Sequence, residues 1–227
     1  MSVNIEHRGL IDFYTKTGSR NGAKIAIILE ELGLQYRLHK IDPSDKAFDK
    51  EAFLAISPNG HIPALTDVHP NGNKVYLTES GSIVQYLIAQ YDNNHRISYA
   101  KSSPEEIEVN NWFFFGTSRV GPNHDEAVHF SQEAPQKIPY SIERFSSKTM
   151  GLFFILEQHL EKTRRDYLAG SKCTIADIAH VPFIVAADAA GIDIEKFPHL
   201  TAWYNRMLRR PAVKKGLAVV EREPATN

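Results

Sequence analysis

A single cysteine, Cys173, occurs among 227 residues. One thiol excludes an intramolecular disulfide, a CxxC redox pair and a thiolate-rich zinc site, and it fits a reducing compartment. No stretch approaches the roughly 20 apolar residues that a membrane helix requires. The opening residues MSVNIEHRG hold no apolar run of the signal-peptide kind, so a cytoplasmic protein with no membrane partner is expected. An excess of one charge is also lacking: 26 Lys plus Arg stand against 27 Asp plus Glu, a formal net charge of −1. Without a basic stripe there is nothing to neutralise a phosphate backbone, and nucleic acid is not expected as a partner. Internal repeats and low-complexity tracts are absent. What remains is an ordinary globular composition, 42% hydrophobic and 23% charged, in a chain long enough for one large domain or two small ones.

The hydropathy pattern divides the chain. From Leu10 to about Asp92, short β-like runs alternate with amphipathic helical runs, an α/β layout. A strand is read from Leu10 to Tyr14, followed by a loop from Thr15 to Arg20. The next helix carries Ile25, Ile28, Leu29 and Leu32 at i, i+3, i+4, i+7 spacing and is stopped by Gly33. Further expectations are a strand at Gln35 to Lys40, a short helix around Lys50 to Leu54, an antiparallel hairpin and a helix from Glu79 to Tyr91. The hairpin pairs Ile62 to Thr66 with Lys74 to Leu77 through the turn-rich stretch His69 to Asn73. Residues 93–103, poor in large apolar side chains, read as a linker. Beyond them the period is helical: Pro104 to Ser118, about Ala134 to Lys162, Thr174 to Ala190 and Pro198 to Arg209, with a loop over Gly121 to Gln132 rich in His, Gly and Pro. The expected domains are 1–92, linker 93–103 and an all-helical 104–227.

Several positions bear chemistry. Glu79 and Ser80 stand where the period switches from strand to helix, so free backbone N–H groups and the positive end of a helix dipole gather there, a natural seat for a carboxylate. Glu79 favouring the first turn and Ser80 capping it is the plainer reading. Pro63 at a strand start is either cis, turning the amide and carbonyl of Ile62 outward, or an ordinary trans proline. Tyr14, inside the apolar strand pattern, reads as packing. Thr174 and Asp177 form an N-capping arrangement with Cys173 and Ile178 placed as a hydrophobic staple, a structural role. Trp112, Phe113, Phe114 and Phe115 span about 300° of a helix and cannot all face one core; at least one is expected to line a cleft or an interface. His124 and His129 lie about 140° apart on a helix and do not form a two-ligand edge, so no metal is expected. Arg164-Arg165 and Arg209-Arg210 read as exposed helix ends.

Four signatures in one order resemble the soluble glutathione transferase superfamily over nearly the whole chain, from about residue 10 to about residue 213. They are Thr17 to Gly22, the segment Ser57-Pro58-Asn59-Gly60-His61-Ile62-Pro63-Ala64-Leu65, the segment Thr78-Glu79-Ser80-Gly81-Ser82-Ile83, and Thr174-Ile175-Ala176-Asp177-Ile178. Asn21-Gly22-x-Lys24, the segment Glu133 to Phe145 and the ending Arg209-Arg210-Pro211-Ala212-Val213 resemble the branch holding the bacterial nu class and the transferase-like domain of the fungal nitrogen regulator. The resemblance implies an α/β thioredoxin-like N-terminal domain and an all-α C-terminal bundle, glutathione as co-substrate, and a homodimer. It implies that Ile62, ahead of a cis Pro63, pairs with the cysteinyl backbone of glutathione. Ser80 and its helix start would hold the γ-glutamyl carboxylate, and Glu79 the ammonium group. Trp112 and Phe115 would flank the electrophile pocket, and Arg144 would reach glutathione. His61 stands where relatives place Arg or Lys. An imidazole holds the glycyl carboxylate less firmly than a fixed cation, and affinity is expected to weaken as pH rises through about 6 to 7.5.

Asn21 is the most informative residue for mechanism. A free thiol ionises near 8.5, so only a few per cent is thiolate at pH 7. Lowering that value by about 2 units takes about 2.7 kcal/mol. A helix N-terminus supplies about 0.3 to 1 kcal/mol, and about 2 at best. One hydrogen bond to a charged acceptor adds about 1.5 to 3 kcal/mol, so a helix start plus one donor suffices. The amide of Asn21 and the hydroxyl of Thr17 are the candidates, with Ser19 a third because this loop is longer than the Thr-Pro-Asn-Gly form of the branch. No cysteine stands at this loop, so both sulfurs of any disulfide chemistry must come from glutathione or substrate. Two enzymatic readings follow, conjugation of a small hydrophobic electrophile and reduction of a disulfide or peroxide. A non-catalytic glutathione-binding regulator is the alternative, and the short stretch ahead of the first strand, with no Asn/Gln-rich extension, weighs against it.

Overall fold

The computed structural model describes residues 11–42, 45, 48–69 and 71–221. Leu10 and Pro70 therefore lie outside the described residues. Four strands, β1 (Ile11–Thr15), β2 (Tyr36–Lys40), β3 (Ala64–Val68) and β4 (Lys74–Thr78), form one sheet in the order β2-β1-β3-β4. β2 runs parallel to β1, while β3 is antiparallel to both β1 and β4. With helices α1 (Arg20–Leu32), α2 (Lys50–Ile56) and α3 (Ser80–Tyr91) between and after the strands, this is a thioredoxin-like mixed sheet.

The first helix is apolar on more than one face. Ile25 and Ile28 are buried as their spacing predicts, but Ala23, Ala26 and Ile27 are buried too. The cause is a second layer. The C-terminal helix α10 (Pro211–Val219) packs on α1, and Gly216 is where they touch: a Cβ there would lie 2.5 Å from the Ile27 backbone nitrogen. Fully burying each isoleucine of α1 contributes roughly 1.5 to 3 kcal/mol, which makes this helix the shared core of both halves. The periodicity of residues 211–219 predicts no separate helix, and α10 is an addition to the sequence reading.

Downstream, α4 (Pro104–Phe115), α5 (Gly121–Val128), α6 (Pro139–Thr163), α7 (Ile175–Ile178), α8 (Val181–Val185) and α9 (Pro198–Leu208) build the helical part. The segment expected to be a loop over Gly121 to Gln132 is helical. Two π-helical turns, Gly116–Val120 and His129–Glu133, flank α5 and keep the chain wound from Pro104 to Glu133. Proline inside a regular helix clashes with the carbonyl four residues back. Here the Gly121 N–H donates to the Gly116 carbonyl in a widened turn immediately before Pro122, which relieves the clash. Conversely, the single helix expected from Thr174 to Ala190 is broken into α7, α8 and a 3-10 turn at Asp188–Ala190, with Pro182 near the start of α8.

The capping box is present. Asp177 Oδ2 accepts from the Thr174 backbone N–H at 3.0 Å, and the Thr174 hydroxyl caps α7. Cys173 and Ile178 are both buried, as a staple requires. Of the two arginine pairs, Arg164, Arg165 and Arg209 are exposed as expected, whereas Arg210 is half-buried and grips Glu31 of α1. Arg165 likewise makes two 2.8 Å bonds to Glu108.

Candidate functional site

Strand register assembles the site. Tyr14 pairs with Ala64, and Ala64 with Thr78, so one step further along the sheet Thr15, Pro63 and Glu79 fall in one row. The Ile62–Pro63 bond is cis. Its loop is shaped by Ser57, whose buried hydroxyl donates to the His61 carbonyl at 2.8 Å, while Asn59 Oδ1 accepts from the His61 N–H at 3.1 Å. The His61 side chain is exposed and Ile62 half-buried. Glu79 precedes α3 with φ at +64° and no side-chain capping bond. A non-glycine residue held at positive φ costs about 1 to 3 kcal/mol and is found where a site over-determines the backbone. The plainer arrangement, Glu79 in the first turn and Ser80 as cap, is not the one observed: Glu79 itself occupies the N-cap position ahead of the first turn, and the Ser80 hydroxyl donates to Asn21 Oδ1 at 3.3 Å.

The loop after β1 sorts the three candidate donors. Ser19 is the N-cap of α1, its Oγ accepting from the Gly22 N–H at 2.9 Å, and it is only 7% exposed. Its Oγ is thus engaged in capping as an acceptor, with the O–H still able to donate, and Asn21, in the first turn, is not the cap. Gly22 is required by close approach, since a Cβ there would lie 1.9 Å from Thr15 Oγ1. Thr17 is exposed and, with Arg20, Val185 and Leu217, lines a cavity of about 440 Å³ between this loop and α8 and α10. Gly18 and Val220, which also line it, are joined by a 2.8 Å bond from the Gly18 N–H to the Val220 carbonyl.

Sequence reasoning missed the centre of the cluster. Lys24 is fully buried, and its Nζ donates to Asn21 Oδ1 at 2.8 Å and to Ser80 Oγ at 3.2 Å. Burial pushes this lysine down to about 7, opposed by the charge of Asp125. Asp125 is itself bound by Arg20 at 2.7 Å. The available signal was a lysine three residues after Asn21, on the face of α1 that also carries Ile28; it served only as a branch marker.

The other expected participants make contacts of their own. Arg144, exposed on α6, donates to Tyr140 Oη at 3.1 Å, one turn back on the same helix; among the described bonds none joins it to Asn21, His61 or Ser80. Trp112 packs on the His159 ring of α6 at 4.2 Å. Phe115 lies 6.1 Å from the ring of His180. Phe113 is buried and Phe114 is the exposed ring of the four. Tyr14 stacks on His39 at 4.5 Å, a packing role. Cys173 is buried beside Met207, and burial pushes its thiol well up, so it is no nucleophile. Among the described residues no group of three or more His, Cys, Asp or Glu is placed to hold a metal, and no helix is long and apolar enough to cross a membrane.

Comparison with known proteins places this geometry. Family models for the glutathione S-transferase N-terminal and C-terminal domains match residues 13–95 and 139–211. The glutathione S-transferase-like protein tpcF of Aspergillus fumigatus is 37% identical, over 88% of this chain and 92% of its own. The disulfide-bond oxidoreductase YfcG of Escherichia coli is 35% identical, over 92% and 94%. Among solved structures, a glutathione transferase homologue from Lodderomyces elongisporus with two glutathiones per subunit superposes with a TM-score of 0.85. It is 33% identical and matches 93% of this chain and 99% of that one. Sequence and fold agree, and the chain belongs to the glutathione S-transferase family.

Proposed function

We propose that this protein is a glutathione-dependent enzyme that stabilises the glutathione thiolate and directs it at a disulfide, a peroxide or a small electrophile. The observation that carries the reading is the meeting of two helix N-termini at one point, with Asn21 from α1 bonded to Ser80 at the start of α3. Two sets of free N–H groups and two dipole ends favour anions there. The amide of Asn21 supplies the charge-assisted bond that the dipole lacks, and Thr17 at the cavity mouth is a second donor. Cis Pro63 with Ile62, His61, Glu79 and the Ser80 helix start are the groups we assign to the glutathione backbone, ammonium and carboxylates.

Disulfide reduction is favoured over conjugation. The relative YfcG is named a disulfide-bond oxidoreductase, and the Lodderomyces homologue holds two glutathiones per subunit. With the one protein thiol buried, the balance must run through two glutathiones. A glutathione thiolate attacks one sulfur of the substrate disulfide, breaking its S–S bond and releasing a thiolate that takes a proton. A second glutathione attacks the mixed disulfide, giving oxidised glutathione and the second substrate thiol. Arg144 is the residue we assign to the second glutathione. A homodimer is supported by apolar side chains exposed on two helices, Ile107 and Phe114 on α4 and Met150 and Phe154 on α6. The domain boundaries near residues 92 and 104 and a cytoplasmic location complete the proposal.

The test is steady-state turnover of a small disulfide with glutathione, beside conjugation of an aromatic halide, for the wild type and Asn21→Ala. Disulfide turnover that exceeds conjugation and collapses in the variant supports the reading. Glutathione binding without either activity would replace it with the regulatory one.

A further inference from the structure

The side chain of Lys24 is enclosed with no carboxylate bonded to it among the described residues. Its Nζ reaches Asn21 Oδ1 and Ser80 Oγ. Around it stand the Phe183 ring at 5.6 Å, the charge of Asp125 on α5 and the imidazole of His180 ahead of α8, which feels the lysine charge. Asp125 is held by Arg20 of the same helix as Lys24. An ammonium offers three donors and no acceptor, whereas an asparagine amide has one face of each kind. Only Oδ1 can therefore face Lys24. The Ser80 hydroxyl accepts from Lys24 and donates to the same Oδ1, so the acceptor of Asn21 is taken twice, while its Nδ2 has no partner among the bonds of the described residues.

We propose that Lys24 is a positioning residue for the thiolate site: by fixing the Asn21 amide and the Ser80 hydroxyl from the buried side, it presents Asn21 Nδ2 to the glutathione sulfur. The inference deepens the glutathione-dependent reading and rests on it. A purely structural lysine is a poor explanation, because an apolar side chain of the same length fills the space without burying a charge. Local rules are broken in this way chiefly where function needs it. Because burial has already brought Lys24 down to about 7, the hold on Asn21 loosens as pH rises through neutrality. The neutral amine has a lone pair of its own, and the amide is then free to turn over.

The experiment compares wild type, Lys24→Met, Asn21→Ala and the double variant, each saturated with glutathione. Two readouts are taken against pH, the ultraviolet absorbance of the bound thiolate and kcat with a small disulfide. Lys24→Met is expected to raise the apparent pKa of the bound thiol by about one unit, a tenfold loss of thiolate below it. Acting through Asn21, it adds little further shift in the Asn21→Ala background. Removing a cation whose folded-state pKa is lowered removes a cost to folding at neutral pH, so Lys24→Met is expected to melt no lower than wild type. Lys24→Gln, which keeps a donor without the charge, serves as the second variant and is expected to shift the thiol less. An unshifted thiol in both Lys24 variants, with a shift in Asn21→Ala, overturns the role of Lys24 alone. A full additional shift in the double variant overturns action through Asn21. No shift in Asn21→Ala overturns this inference together with the thiolate reading beneath it.

Discussion

Arg210 and Glu31, 179 positions apart, meet in a two-point contact that joins the start of α10 to the end of α1: Nε to Oε1 at 2.7 Å and Nη2 to Oε2 at 3.0 Å. The Glu31 side chain is only 3% exposed. Removing one partner of a buried pair strands the other charge and costs about 3 to 5 kcal/mol, whereas replacing both by apolar groups is often close to neutral. Arg210→Met is therefore expected to lose about 3 kcal/mol in denaturant unfolding, and Arg210→Met with Glu31→Met to recover most of it. Equal losses in the single and double variants would show that the pair itself, not the stranded carboxylate, sets the stability.

Asp177 does more than cap α7. Besides the Thr174 bonds, its Oδ1 accepts from the Leu168 N–H at 2.9 Å and the Trp203 indole N–H at 2.9 Å. Burial pushes its pKa up, and these donors pull it back. Losing a helix cap costs about 1 kcal/mol, and each buried donor left unpaired about 1 to 3 kcal/mol more. Asp177→Ala is thus expected to destabilise by about 3 kcal/mol or more, read as a lowered melting temperature. A loss near 1 kcal/mol would mean that water or another group satisfies Leu168 and Trp203.

His180 gives the molecule an acid limb. Its Nδ1 faces the Ala176 carbonyl at 2.7 Å, and burial, with the Lys24 charge adding to it, lowers its pKa to about 4. Between about 4 and the ordinary 6.5, the unfolded chain binds the proton and the folded chain does not. Stability is therefore full above the ordinary value and is lost as pH falls toward 4, by about 3 kcal/mol if the whole shift is realised. Unfolding free energies measured across this range should fall more steeply for the wild type than for His180→Asn, which keeps a donor but does not titrate. Parallel curves would remove His180 from the acid response.

Much of the site was legible from local signals. The strand and helix periods placed Pro63 and Glu79 at element boundaries, the thiol arithmetic asked for a donor at the first helix start, and Asn21 stands there. Less legible was anything that depends on a partner remote in sequence. Ser80 was read through its own helix end, yet its hydroxyl is spent on Asn21, 59 residues earlier. Nothing local in the sequence shows that Ser19 Oγ is turned back onto Gly22 as the cap of α1. Arg144 and Trp112 were assigned by resemblance, and in this chain they touch Tyr140 and His159.

Helix and strand periods, caps and turns are set by neighbours a few residues apart, so the order of elements, the capping box at Thr174 and the helix start that carries Asn21 belong to the sequence. Burial and long-range pairing are not local. A lysine on an amphipathic helix reads the same whether it faces water or a core. Only the packing of α1 against α3, α8 and α10 enclosed Lys24, took away its solvent and left Asn21 and Ser80 as its hydrogen-bond acceptors. Residues 121–132 are helical because α5 packs on α6 and is continued at both ends by π-helical turns, which a proline-and-glycine count reads as a loop.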